Sequence, residues 1–288
     1  MANLKALIDA DILVYKCGFS AEKKIRIPYI NGQAHPALAS AKELKAFMKE
    51  HQEDNIDVEE RKTIQPLSFA LGNVKTTIAA IEGVVGHNVS LYLSGGGNFR
   101  DTLATLLPYK GQRSEFDKPH YYKEIRTYLE DIHKAEVITG QEADDAIGIE
   151  ATRIQESDSE EEAVIVSIDK DLDMIEGFHY NWVNGAKYKI SKEQGLRNFY
   201  RQLLVGDRTD NIPGIKGVGD VTAEEILGDA TKESVLFDIV RTYYHKTFPK
   251  GYEIAGKVVD VDKALLEIGR LLYIRKREGE IWDFPKRR

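Results

Sequence analysis

A parallel α/β sheet followed by a smaller helical region is the fold class that this sequence predicts, and three observations predict it. Short apolar runs that read as strands alternate with stretches of helical spacing, the pattern of a parallel sheet with crossover helices. The run AVIVSI at residues 163–168 is almost continuously apolar, as in a strand buried on both faces. From about Glu193 the pattern turns helical and stays so, apart from residues 257–261.

Taken in order, residues 4–8 form a short apolar strand closed by Asp9, and residues 11–19 form the helix that follows. Residues 22–66 are charged and less regular, with a helical stretch from Ser40 to about His51 and a Glu-rich polar run at 52–62. Leu71, Val74, Ile78 and Ile81 space a helix over 67–85. Residues 89–93 make a second strand, which SGGGN breaks, and residues 135–138 a third. A helix is expected at 142–153, the AVIVSI strand follows, and a fifth strand is read at 180–183. The expected division is a sheet domain at 1–190 and a helical domain at 191–288.

Composition limits what the chain does. Its 288 residues leave room for two domains. With 42% hydrophobic and 30% charged residues it is globular rather than disordered. No apolar run approaches the ~20 residues of a membrane span, and MANLKALIDADILVY does not read as a signal peptide. The single cysteine, Cys17, excludes an internal disulfide framework, reads as packing and fits a cytoplasmic protein. The net charge of −7 argues against a nucleic-acid partner only if the acids are spread evenly.

They are not spread evenly. Asp9 closes the first strand. Glu142, Asp144 and Asp145 open the helix after the third, and Asp169 and Asp171 follow AVIVSI. Asp207 and Asp210 lie on the helical side, within GDRTD. Functional residues of open parallel sheets gather at the carboxyl ends of the strands. Any one of these clusters alone also reads as helix caps and dipole partners. Several of them at one sheet edge would repel unless a cation lies between them. Oxygen ligands suit Mg2+, and two such ions about 4 Å apart serve phosphodiester hydrolysis. The seven histidines are scattered and suggest no zinc site.

The stretch GDRTDNIPGIKGVG joins two of these acids to a glycine loop, where Gly214, Gly217 and Gly219 allow tight turns and Lys216 adds charge. A helix begins near Thr222, and its N-terminus favours anions. The stretch matches neither the Walker loop nor the dinucleotide fingerprint. It resembles the helix–three-turn–helix of the structure-specific 5′ nucleases: flap endonucleases, the 5′-nuclease domain of DNA polymerase I and the bacteriophage 5′→3′ exonucleases. Four further motifs resemble that family in order, LIDADIL, LPYKGQR, QEADDAIG and VSIDKDLDMI, so that the likeness runs from about residue 4 to 228. The short length is most similar to a free-standing phage-type enzyme.

The resemblance implies a PIN-like 5′-nuclease domain with a helical arch at about 96–133 and a helix–three-turn–helix at about 203–228. It implies that Asp9, Glu142, Asp144, Asp145, Asp169, Asp171, Asp207 and Asp210 hold two Mg2+ ions, with Mn2+ as a substitute, and that the loop carries K+. Lys110 and Arg113 match arch residues that contact the scissile phosphate; three apart on a helix, they would face one way. Tyr109 would stack on a terminal base. Arg100, Lys170, Arg208, Gly214, Lys216, Gly217 and Gly219 would approach the DNA backbone without reading bases. The expected partner is DNA at 5′ ends, flaps or nicks, in the cytoplasm, or in a host's cytoplasm for a phage protein.

The chain departs from the family pattern after its second strand, where Ser94 and Gly95 stand in place of a further Asp. That leaves one ion a weaker hold, a hold through water, or Asp11 in place of the missing ligand. The expected activity is Mg2+-dependent 5′ nuclease action that leaves a 3′-hydroxyl and a 5′-phosphate. Removal of RNA primers from RNA–DNA hybrids is the alternative on the same fold. A structure-specific DNA-binding protein without catalysis is the alternative of another class, favoured by Gly95 alone. A PIN-type ribonuclease is disfavoured by the helix–three-turn–helix.

Overall fold

The computed structural model describes residues 3–52, 54–111 and 118–286. Arg113 therefore lies outside the described residues. The elements run β1 (Asn3–Asp9), α1 (Ala10–Ser20), β2 (Glu22–Ile30), β3 (Gln33–Ala34), α2 (Ala41–Glu50), β4 (Ile56–Ile64) and α3 (Leu67–Val85). There follow β5 (Val89–Ser94), α4 (Phe99–Leu103), α5 (Tyr122–His133), β6 (Glu136–Ile138), α6 (Ala143–Gln155), β7 (Glu161–Val166), β8 (Gly177–Asn181) and β9 (Ala186–Ile190). The chain continues through α7 (Lys192–Val205), α8 (Asp220–Leu227), α9 (Glu233–Thr247), β10 (Tyr252–Ile254), β11 (Lys257–Val259) and α10 (Val261–Leu272). None of the described helices is long and apolar enough to cross a membrane.

The chain divides into two compact units. The first takes residues 1–12, 81–117 and 133–288, the second residues 13–80 and 118–132. In the first unit six of the described strands form one sheet in the order β6-β5-β1-β7-β8-β9, and β10 pairs with β11 in a separate antiparallel hairpin. All pairs of the six-stranded sheet are parallel except β8 with β9. This places β1 between β5 and β7, so the carboxyl ends of these strands lie side by side. The helices after the sheet share its core. Leu7, Ile165 and Tyr92 belong to one buried cluster with Phe199, Leu203, Val240, Ile268 and Trp282. The expected boundary at residue 190 is corrected by that common core: apolar faces of α7, α9 and α10 are buried with the sheet rather than in a domain of their own.

The same unit contains a buried ion pair that corrects two sequence expectations. Arg100 on α4 is 2% exposed and Asp145 on α6 is 0% exposed. Arg100 Nη1 and Nη2 donate to Asp145 Oδ2 and Oδ1 at 2.6 and 2.9 Å, in fork-to-fork geometry. Asp145 also accepts from the backbone N–H of Glu142 at 3.1 Å and of Arg275 at 3.1 Å. Arg100 Nε and Nη2 donate to the carbonyls of Leu271 and Tyr273 at 2.8 and 2.7 Å. Arg100 thus lies inside the unit, not on a DNA-facing surface, and Asp145 has its oxygens filled by internal donors rather than open to a metal. Desolvation alone would lower the pKa of Arg100, but the hydrogen bonds and charge of Asp145 raise it above its usual value.

The second unit holds most of α1, α3 and α5 together with a sheet of strand order β3-β2-β4. β2 and β4 pair antiparallel from Glu22↔Ile64 to Ile30↔Ile56. A two-residue turn, Asn31–Gly32 with φ of 50° and 82°, joins β2 to β3, both residues left-handed as a type I′ hairpin requires. Much of 22–66 is thus regular strand, where the charged sequence was read as less regular. α2 starts at the Ser40 cap with Glu43 completing a capping box, as the helical stretch at 40–51 predicted. Cys17 is buried, as expected of a packing residue.

Removing one partner of a buried pair leaves the other charge unpaired, at a cost of about 3–5 kcal/mol. Arg100→Ala and Asp145→Ala should therefore each lower stability by that order in denaturant unfolding. The double variant should lose much less than the sum of the two.

Candidate functional site

The site is built where β1, β5 and β7 end. Asp9 is the last residue of β1 and is 4% exposed. Its Oδ2 accepts from Ser167 Oγ at 3.0 Å, and the same Ser167 Oγ accepts from the N–H of Asp169 at 3.0 Å. One serine just past β7 thereby joins the two strand-end carboxylates. Asp169 Oδ1 accepts from the N–H of Asp171, at 2.9 Å. Asp171 opens a 3-10 turn, Asp171–Met174. Glu142 is the N-cap residue of α6, and Asp144 lies in the first turn of that helix.

The other contributors come from the loop between α7 and α8, at the place where the resemblance implied a helix–three-turn–helix. The loop closes on itself, with Asp207 N donating to Ile212 O at 2.9 Å and Ile212 N to Asp207 O at 2.7 Å. Asp207 Oδ1 accepts from the N–H groups of Thr209 and Asp210, at 2.7 and 3.3 Å. The turn carrying Lys110 docks on this loop. Lys110 N donates to Asp210 O at 2.9 Å, and Asn211 Nδ2 to Pro108 O at 2.9 Å. Lys110 itself has φ of 52°, so it sits in a left-handed turn and not on a helix. The expectation of a shared helical face with Arg113 is corrected on that ground.

Lys110 Nζ pairs with Glu142 Oε1 and stands 3.6 Å from Asp210 Oδ2. The Tyr109 hydroxyl lies 2.9 Å from Glu142 Oε2 and 2.9 Å from Asp210 Oδ2. Tyr109 is buried, and burial with the two carboxylates pushes its pKa far up, so the hydroxyl stays protonated. A ring held this way bridges two acids instead of stacking on a base, which corrects the expected role.

The electrostatics record how closely the acids gather. Burial, then the charges of Asp11 and Asp169, raise Asp9 to about 7 against the hydrogen bond from Ser167. Desolvation, then Asp169 and Asp207, raise Asp171 to about 7. Asp144 is pushed well up by burial and by Asp9, Asp169 and Glu142. Asp169 is raised by desolvation and by Asp210 and Asp207, with Lys110 opposing. These charge interactions link Asp9, Glu142, Asp144, Asp169, Asp171, Asp207 and Asp210, and Lys110 is paired with Glu142 and close to Asp210. Among the described residues no three acidic, histidine or cysteine side chains already stand as a closed coordination group.

Several predicted residues stand elsewhere. Arg100 and Asp145 form the internal pair. Gly214 packs against the end of α7, where a Cβ would lie 2.1 Å from Val205 O. Lys170, Arg208, Lys216, Gly217 and Gly219 are exposed. At position 95 this backbone leaves no room for a side chain, because a Cβ on Gly95 would stand 2.5 Å from Ile138 O. Asp11 Oδ2 accepts from the N–H of Ser94 at 2.9 Å, and Ser94 Oγ accepts from Ala143 N at 3.0 Å, so Ser94 caps α6. The sequence reading missed Ser167 and Gln202. Ser167 had a signal in its place between AVIV and Asp169; Gln202, inside a helix, had none.

No family model matches the chain. It is 29% identical over 178 residues to a 5′-3′ exonuclease of Mycoplasmopsis pulmonis, covering 57% of this chain and 58% of that protein. It is 31% identical over 174 residues to a 5′-3′ exonuclease of Buchnera aphidicola subsp. Schizaphis graminum, covering 54% of this chain and 59% of that one. The matched stretch spans less than two thirds of these curated relatives. In structure the chain is similar to the T5 D15 protein crystallised with metal ions, with a TM-score of 0.53 and 15% identity over 95% of this chain and 89% of that one. At that identity the likeness is one of fold. In sequence the chain is thus similar to 5′-3′ exonucleases, and in fold to the T5 D15 protein.

Proposed function

We propose that the chain is a metal-dependent 5′ nuclease that hydrolyses phosphodiester bonds of DNA. The observation that carries this reading is the set of interacting carboxylates from two strand ends, the α6 N-terminus and the α7–α8 loop, with one lysine paired into it. The donor set fits a divalent cation. Every group is a hard oxygen donor, and the raised pKa values of Asp9 and Asp171 mark acids that lack enough positive charge. Asp9, Glu142, Asp144, Asp169, Asp171, Asp207 and Asp210 would hold it, as two Mg2+ ions or Mn2+ in their place. The loop would seat K+. A divalent cation there supplies Lewis acidity and a more acidic water.

The chain's own groups supply the rest. Lys110 would offset charge on the scissile phosphate, exchanging its carboxylate partners for it. Tyr109 and the loop hydrogen bonds would keep Lys110 in place. Gly217, Gly219 and Lys216, exposed before the N-terminus of α8, would take backbone phosphates of the duplex. A DNA backbone needs only such a local track, so the net charge of −7 is no obstacle.

The test uses a 5′-labelled flap and a nicked duplex with Mg2+, Mn2+ or EDTA. Cleavage should require metal, and Asp169→Ala should abolish it. Lys110→Ala should lower kcat on the order of 10²–10³-fold. Tight junction binding by the wild type without cleavage in either metal would replace the nuclease by a binding protein.

A pH dependence follows from the raised carboxylates. Between about pH 4 and pH 7 the folded state keeps protons on Asp9 and Asp171 that the unfolded state, at the ordinary value of 3.8, has lost. Stability of the metal-free protein should therefore fall as pH rises across that interval and level off above it. Thermal melts in EDTA at pH 5 and pH 8 should show the loss. Mg2+ should restore stability at pH 8, and Asp9→Asn should flatten the slope.

A further inference from the structure

We propose that Gln202 is a positioning residue of this site: it fixes Asp171 with its amide N–H and turns its carbonyl oxygen toward water carried by the bound cation. The inference rests on the nuclease reading above. Gln202 lies in the last turn of α7, where its backbone carbonyl accepts from Gly206 N at 2.7 Å. It is therefore anchored at the root of the loop that carries Asp207 and Asp210. Its side chain reaches the 3-10 turn, and Nε2 donates to Asp171 Oδ1. A carboxylate that holds a cation is ionised and only accepts, so in the metal-bound state this contact fixes which way the amide points.

Two consequences follow. Oδ1 of Asp171 is engaged, which leaves Oδ2 as the oxygen free to serve a cation. Gln202 Oε1 is then turned away from Asp171, and it is buried with no hydrogen-bond partner among the described residues. A buried acceptor is costly unless something donates to it, and Mg2+ usually keeps several waters when protein carboxylates bind it. The neighbouring turn does not depend on Gln202. Tyr188 Oη donates to Asp173 Oδ1 at 2.8 Å, and Asn198 Nδ2 to Asp173 O at 2.9 Å. The Asn198 bond holds the backbone of the turn and the Tyr188 bond its Asp173 side chain, so Gln202 is left to set the direction of the Asp171 side chain.

The experiment titrates Mn2+ into the full chain without DNA and follows free Mn2+ by electron paramagnetic resonance, with thermal melts in EDTA as the folding control. Gln202→Met keeps the side-chain length and removes both donor and acceptor. It should weaken Mn2+ binding by about tenfold or more, as loss of groups behind a ligand does, with the melting temperature in EDTA unchanged or raised. Gln202→Asn, which draws the amide back by one methylene, should show a partial loss and guards against an effect of methionine packing. Mn2+ binding undiminished in both folded variants would overturn the role of Gln202 alone. A wild-type chain that binds no Mn2+ would overturn the nuclease reading together with it.

Discussion

The pair between Arg100 and Asp145 is the constraint from which the geometry of the site follows. Three segments distant in sequence meet at it: α4, the first turn of α6, and the backbone just at and beyond the end of α10. The Asp145 carboxylate caps the backbone of Glu142, so the same interaction fixes where Glu142 and Asp144 emerge. Burying two charges is repaid only when each finds good partners. Here both carboxylate oxygens accept twice, and the guanidinium also meets two carbonyls. The ring of Phe99 adds a face against Arg100, 4.6 Å from its Cζ, and against Arg275, 3.6 Å away.

A second constraint opposes the first. The fold brings acids together at a cost, and the shifts of Asp9, Asp144 and Asp171 record it. The surroundings offset the repulsion with directed donors: Ser167 on Asp9, Ser94 N on Asp11, Gln202 on Asp171, Tyr109 and Lys110 on Glu142. Each donor lies on an element that also brings a carboxylate or abuts one. The acids are therefore pinned individually while remaining, as a group, short of positive charge. Structural ion pairs are balanced, as Arg241 with Asp262 is; this cluster is not, and such imbalance is characteristic of sites that take a cation.

The legible part of the sequence was the part set by local pattern. β1, β5, β6, β7, α3 and α6 were readable because apolar runs and helical spacing survive burial on both sides. The strand-end positions of Asp9 and Asp169 followed from them. The antiparallel strands were not read, for a common reason. β2, β4 and β9 carry Lys, Glu and Arg along exposed faces, and their stability lies in cross-strand pairs such as Arg26 with Glu60 and Tyr29 with Glu59. Charge there mimics a loop, although the Asn31–Gly32 turn was a usable hairpin signal. Arg100 and Asp145 were misread because sequence gives residue type and not burial: an arginine near a motif that resembles a DNA-binding one looks like a phosphate contact until its partner is seen.

The glycine loop shows the same limit and refines what its glycines do. Gly206 takes φ of 74°, and a Cβ there would meet Gly214 N at 2.3 Å. A Cβ on Gly214 would in turn meet Gly206 N at 2.5 Å and Val205 O at 2.1 Å. The two glycines thus let the loop fold flat against the end of α7, and this close approach sets the reach of Asp207 and Asp210 toward β7. Gly217, with φ of 86°, has open space around it, and Gly219 leads into α8 with open space likewise. One motif therefore performs two separable tasks. Its first half places acids by backbone packing, and its second half leaves N–H groups and Lys216 facing outward, where an anion can meet them without entering the acidic cluster. The apparent contradiction of carboxylates beside a loop proposed to bind phosphate is resolved within fourteen residues by that division.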